Sequence, residues 1–284
     1  MAPLPQRLGY GPDDRLLIIS AAGLGGCHAM NEGVYAALRD GLATTGTLLV
    51  PCPWSREAAA RFRGEDIGVS LTLNAEFELY RWGPITYAPS LLDGNGGMPS
   101  TVSDVWDHAD LDEVRRECRA QIERAILWGF DVTHLDSHLD VLSVRPEFFD
   151  VYLELAVEFG LPVRLISTEA RRQLGFPAED LIESEGVVTP DRVVRIAPGA
   201  MGRYRRIEAL LDSLEPGLTE LQLQPAADLP ELRSLTAEWG SRVEDLLHLR
   251  DNAELRTHIE RSGIRLVGYR ELRGLQRSEA STLS

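Results

Sequence analysis

The stretch LLIISAAGLGGCHAMNEG, residues 16–33, decides how the chain is read. Leu16 to Ile19 form a buried-strand pattern that runs into Ser20, two alanines and glycines, and then opens into a helical pattern around Asn31. The end of a strand just before a helix is where α/β enzymes place their chemistry. Yet Ala21, Ala22 and Gly23 can neither bind a metal nor move a proton. The chain builds an active-site corner and leaves it without reactive groups.

Outward from this corner, short apolar runs alternate with helical patterns over nearly the whole length, the signature of an α/β architecture with a mostly parallel sheet. Further strands are predicted at TGTLLVPCP (45–53), stopped by Pro51 and Pro53, at DIGVSLTLN (66–74), VTHLDSH (132–138), VRLIS (163–167), VVRIA (193–197), TELQLQP (219–225) and GIRLVGYREL (263–272). Helices are predicted at 29–41, at 55–63 with Ser55 as cap, at 110–130, at 146–160 opened by Pro146, near 203–213 and over 230–248. In the helix at 110–130, Val114, Cys118, Ile122, Ala125 and Ile126 fall on one stripe, with Asp110 as cap and Gly129 as stop. Residues 75–105 show no period, and a loop of that length is usually functional, a lid or substrate wall that closes over its own site or packs on a second subunit. The polar tail, about 276–284, reads as disordered.

Composition bounds the class. A chain of 284 residues with 44% hydrophobic content buries a full core, and a single barrel-sized domain over 1–284 is expected. The net charge of −15, from 29 basic and 44 acidic side chains, argues against nucleic acid as a partner. All 29 basic residues are arginine, so Schiff-base chemistry on a lysine is excluded. Cys27, Cys52 and Cys118 form no CxxC pair and suit a reducing cytoplasm. No apolar run reaches the ~18 residues of a membrane helix and the N-terminus lacks a signal-peptide core, so a cytoplasmic chain with no membrane partner is expected.

VTHLDSHLD sets His134, Asp136, His138 and Asp140 at alternate positions, so in a strand all four would point to one side. Such a face is costly to bury unless the groups bind a metal, pair with each other or reach a polar cavity. One reading is structural, with these side chains bonding loop backbone. The other is functional, because a carboxylate that orients an imidazole is a standard acid/base arrangement.

With these motifs in view the chain resembles the YdjC/ChbG-type carbohydrate deacetylases from about Leu16 to Leu272. Their first strand typically ends in Ser or Asn followed by Ala-Asp-Asp-[Leu/Phe]-Gly, with an asparagine in the next helix. Ser20, Ala21, Leu24, Gly25 and Asn31 fit, but Ala22 and Gly23 replace the aspartates. Their third strand reads Gly-[Leu/Val]-His-Leu-Thr-Leu, against Gly68, Val69, Ser70, Leu71, Thr72 and Leu73. The Thr-His-[Leu/Val]-Asp-Ser-His motif is whole, as Thr133 to His138. YRWGP and PCPW also resemble a branch of the family, and a late His-Pro pair is replaced by Gln224 and Pro225.

The resemblance implies a single distorted (β/α) TIM-like barrel with its site at the carboxyl ends of the strands. It also implies a metal-dependent amide hydrolase in which the second aspartate and two histidines hold a divalent ion while the first aspartate activates a water. On that alignment Gly23 and Ser70 replace two ligands, Ala22 replaces the base and Gln224 replaces a further histidine. His138 alone remains, and one imidazole does not hold a catalytic ion, since a site normally needs about three protein ligands. No metal and no cofactor are therefore expected.

Three readings follow. In the first, the protein is an enzyme acting without metal on a sugar-like or natural-product small molecule. Asp136 orients His138, which moves the proton, and Ser20, Asn31, Ser70, Thr72, Glu76, Arg81, Trp82 and Gln224 contact the substrate. In the second it is a non-catalytic binding protein. In the third, deacetylation survives on a site rebuilt from His134, His138 and Asp140. Trp54 is a further candidate for the sugar-stacking wall, and the neighbours Cys27 and His28 invite a nucleophile reading although adjacent side chains rarely face each other. His108, His248 and His258 read as solvated.

Overall fold

A computed structural model of the protein describes residues 2–196 and 202–283. Among these residues seven strands form one parallel sheet: β1 Arg15–Leu24, β2 Thr45–Leu48, β3 Ile67–Leu71, β4 Val132–Ser137, β5 Arg192–Arg195, β6 Gly217–Leu223 and β7 Arg265–Leu266. The order is β4-β3-β2-β1-β6-β5, with β7 against β1. The fold is α/β, and its sheet curls into a half-barrel.

β1 is central, flanked by β2 and β6, which is why its residues read as a continuous apolar run. Leu17, Ile19 and Ala21 pack outward with Val34 and Tyr35 of helix His28–Arg39. Leu16 and Ile18 face the other way, into a cluster with Leu218, Val267, Tyr269 and Leu272. Period two along the strand then carries Ser20 and Ala22 to the inner face as well.

The gap between the sheet's ends is filled by VRLIS, predicted as a strand. It makes only a bridge, Leu135 to Val163. The phenol of Tyr152 donates to the carbonyls of Leu135 and Arg164 at 2.8 and 3.0 Å, which satisfies backbone that a ladder would otherwise pair. At the far end Val193 N donates to Thr168 Oγ1 at 3.0 Å, so side chains complete the ring where strands do not.

Several local expectations change. The tail is not disordered: helix Tyr269–Leu283 carries it, Gln276 Oε1 accepts from Val188 N at 2.8 Å, and Glu279 pairs with Arg7. Ser284, like Ala197 at the end of VVRIA, lies outside the described residues. GIRLVGYREL yields only the two-residue β7 before that helix, and 230–248 divides into Pro230–Leu235 and Trp239–Asp251. Ser55 is the first helical residue rather than the cap, and its hydroxyl donates to Cys52 O. Val114, Cys118, Ile122 and Ala125 are buried, but Ile126 turns to solvent. Asp110 caps its helix, accepting from Asp112 N and Glu113 N. Between 75 and 105 the backbone forms a single short 3-10 turn, Pro89–Leu91, and helix Val102–His108 begins near its end.

Candidate functional site

The carboxyl ends of the strands converge on a cavity of about 670 Å3. Ala22 and Gly23 of β1, Ser70 of β3, Asp136 and Ser137 of β4, His138 and Gln224 line it, with Glu76, Arg164, Arg195 and Arg242.

β4 ends at Ser137, so His138 is not a strand residue as the alternation implied. It opens a 3-10 turn in which Leu139 and Asp140 take left-handed backbone at φ 49° and 60°, conformations costly for residues with a Cβ. Arg195 holds the turn by pairing with both oxygens of Asp140. The turn sends the imidazole toward the segment after β3, where its Nε2 lies 3.0 Å from Glu76 Oε2. Glu76 is fixed in turn by its neighbours. Phe77, Tyr80 and Trp82 contact one another with ring centres 5.9–6.5 Å apart, and Tyr80 donates to Gly26 O at 2.8 Å.

Burial pulls the His138 imidazole down, but the charge and hydrogen bond of Glu76, with the charge of Asp136, outweigh it and hold the group above its ordinary value. Burial pushes Glu76 up, and the same contact with His138 outweighs that and holds it low. The pair therefore favours the ionic form.

Asp136 has a different partner from the one expected. Its carboxylate accepts from Arg164, both groups being buried, and Glu220 lies 4.0 Å from the same guanidinium. Tyr269 donates to Glu220 at 2.5 Å and its ring stacks on His134, centroids 3.7 Å apart and 9° from parallel. Burial pushes Glu220 up to about 7 and holds His134 well below the usual imidazole value. His134 thus lies beneath the cavity as a neutral ring. The absence of a side chain at Gly68 makes room for it, since a Cβ there would lie 2.5 Å from the ring. His134, His138 and Asp140 do not converge, and this corrects the expectation of four groups on one face.

Of the expected substrate contacts, Ser70, Glu76 and Gln224 line the cavity. Ser20 is fully buried in β1, its hydroxyl without a hydrogen-bond partner among the described residues. Asn31 braces the corner: its Oδ1 accepts from Gly25 N at 2.6 Å and its Nδ2 donates to Trp54 O at 3.0 Å. Thr72 donates to Ser70 O at 2.7 Å. Arg81 bonds Asp93 and Met98 O, and Trp82 donates to Asn74 O at 2.9 Å. Asn31, Thr72, Arg81 and Trp82 are thus occupied with the scaffold, and Ser20 is enclosed by it. Trp54 packs on the ring of His28, and burial pushes the neighbouring Cys27 thiol up to about 11, unsuited to a nucleophile. Outside the site His258 pairs with Asp212 at 3.1 Å and His248 stacks on Tyr204, so neither is simply solvated.

The arrangement of strand ends, with an intact THLDSH run entering the cavity floor, has counterparts. The family profile described as YdjC-like protein matches residues 16–260. The chain belongs to this family. A carbohydrate deacetylase of Thermus thermophilus is 38% identical over 251 residues, 87% of this chain and 90% of that one. One from Geobacillus stearothermophilus is 30% identical over 263 residues, 90% and 98% of the two chains. In structure, a protein of Enterococcus faecalis V583 assigned by name to cellobiose-phosphate cleavage superposes with a TM-score of 0.79 at 28% identity, covering 91% of this chain and 99% of its own.

The residues of this YdjC-like chain do not fit the divalent ion that the resemblance implies. Among the described residues no group of three or more His, Cys, Asp and Glu is placed to hold a metal. Gly23 has φ 108°, a backbone unfavourable to any side chain, and a Cβ there would lie 3.9 Å from Nη1 of Arg242. A guanidinium therefore stands beside the position where an anionic ligand would be required. Arg242 comes from helix Trp239–Asp251 and is only 9% exposed. Neither Arg242 nor Arg164 carried a sequence signal: the one lies in a weakly amphipathic helix more than 200 residues from Gly23, the other inside a short apolar run.

Proposed function

We propose that this YdjC-like protein acts on a sugar-like small molecule by acid/base chemistry on His138, without a catalytic metal. The observation that carries the reading is the 3.0 Å contact between His138 Nε2 and Glu76 Oε2 at the wall of a cavity whose donors do not suit a metal. In the neutral state His138 takes a proton from water or substrate, and Glu76 stabilises the imidazolium that results. Asp136, locked to Arg164, contributes a fixed negative charge below the imidazole and positions the floor. Ser70 and Gln224 offer hydrogen bonds to substrate oxygens. The curated relatives are named carbohydrate deacetylases, so hydrolysis of an N-acetyl group on a sugar is the first reaction to assay.

The test measures turnover over a panel of N-acetylated sugars with and without chelator. Activity should survive chelation and fall roughly 10²-fold or more in His138→Ala, the usual scale for a general acid/base, with a smaller loss in Asp136→Asn. Activity abolished by chelator and restored by zinc would overturn the reading, as would full turnover in His138→Ala. Ligand binding with no turnover on any member would favour a non-catalytic binding protein.

A further inference from the structure

Arg242 lines the cavity with no ion-pair partner among the described residues. Arg164, Arg195 and Arg203 also line it, and each is paired: with Asp136, Asp140 and Asp245 respectively. Glu76 is paired with His138. Arg242 is nine-tenths buried, its Nε has no hydrogen-bond partner among the described residues, and Glu76 and Glu238 act on it through space rather than by contact. Its guanidinium faces the space left open beside Gly23 and Ala22. A buried cation without a partner is costly, and such a site is stabilised by an anion that supplies the missing hydrogen bonds.

We propose that Arg242 is the recognition residue for a carboxylate on the ligand, so that the substrate class is a sugar acid rather than a neutral sugar. The planar guanidinium fork matches the two oxygens of a carboxylate. A phosphate dianion fits less well, because the one guanidinium without an ion pair neutralises a single charge, the other arginines of the cavity already have carboxylate partners, and the second charge of the dianion would be buried uncompensated. The carboxylate is thereby held beside Gly23, with Gln224 and His138 lining the same cavity for the rest of the molecule. The assignment of a sugar to that space rests on the function proposed above, whereas the carboxylate site stands on Arg242 itself.

The experiment follows the Nε–H resonance of Arg242 by 15N-edited NMR in the full-length protein. The signal is assigned from its loss in Arg242→Lys, which keeps the charge at this position. The titrants are D-glucuronate, D-glucose, D-glucose 6-phosphate and acetate. Glucuronate should shift the signal, bind at least tenfold more tightly than glucose, and lose that preference in Arg242→Gln. If Arg242→Gln does not fold, the shift in the wild-type protein decides alone. Acetate and glucuronate acting with equal midpoints would keep the carboxylate site and remove the sugar reading. No shift with either carboxylate, or tighter binding of glucose 6-phosphate than of glucuronate, would overturn the assignment.

Discussion

His138, just after β4, and Glu76, after the neighbouring β3, meet at the mouth of the curled sheet, Nε2 to Oε2 at 3.0 Å, although they lie 62 positions apart in the chain. Their contact sets the protonation of the only imidazole that lines the cavity among the described residues. Glu76→Gln removes the larger of the two charges that raise His138 and leaves Asp136 alone against burial and Arg242. The imidazole pKa should fall, as the loss of a close opposite charge requires, and the fall is read from the His138 ring signals by NMR. In an active enzyme the alkaline-rising limb of the pH–rate profile should move to lower pH by the same amount. The linkage runs the same way. With its folded value raised, His138 contributes stability fully present below pH ~6.5 that is lost as pH rises through the folded value, and Glu76→Gln should flatten that loss.

Glu220 gives a second pH signature. Its folded pKa of about 7 exceeds the unfolded value of ~4.3, so the protonated form is favoured by folding. Stability attributable to this group is greatest below pH ~4.3, declines as pH rises toward 7 and is level above that. The decline amounts to roughly 3–4 kcal/mol. Glu220→Gln should remove it, so the variant should gain stability relative to the parent between pH 5 and pH 8 in urea unfolding. Equal changes in both proteins would show that Glu220 is already ionised.

Gly23→Asp tests the emptied corner. The backbone at φ 108° should make the variant less stable by about 1–3 kcal/mol. The new carboxylate should pair with Arg242 rather than recruit a metal. Calorimetric titration with zinc should show no tight site, and glucuronate should lose its hold on the Arg242 signal. Tight zinc binding by this single variant would contradict the reading of the corner as cationic.

Leu139→Gly relieves the left-handed turn behind His138. Leu139 is 45% exposed, so little packing is lost, and the variant should be more stable by roughly 0.5–1 kcal/mol in urea unfolding. A loss of stability would mean that Leu139 packs on the cavity wall more than its exposure indicates.

Strand ends and the family motifs were legible because period two and turn chemistry are written locally: β1, β3, β4 and β6 stand where the alternation places them. Which side chains are free to meet a ligand was not. Asn31, Thr72 and Arg81 belong to the right neighbourhood but spend their hydrogen bonds on Gly25, Ser70 O and Met98 O. Ser20 is sealed in the sheet. The partnership of Asp136 with Arg164 escaped because an arginine within VRLIS reads as an interruption of an apolar run, not as the counter-ion of a residue 28 positions earlier. Tyr269 under His134 escaped for the same reason: stacking between residues so far apart in the chain leaves no periodic trace.

Arg242 is carried by helix Trp239–Asp251, outside the sheet, while Ser70, Asp136 and Gln224 are anchored to strands and their ends. The form of this cavity and its guanidinium without an ion pair among the described residues therefore come from separate parts of the chain. If Arg242 selects the ligand, a substitution at position 242 would alter what the cavity attracts without touching a strand pairing, although the helix itself is tied to the end of β6 by Gln224 N and Ala226 N, which donate to Asp245 and to Arg242 O. A lineage built this way explores new ligands by exchanging one residue on an outer helix, with the barrel's architecture as a constant.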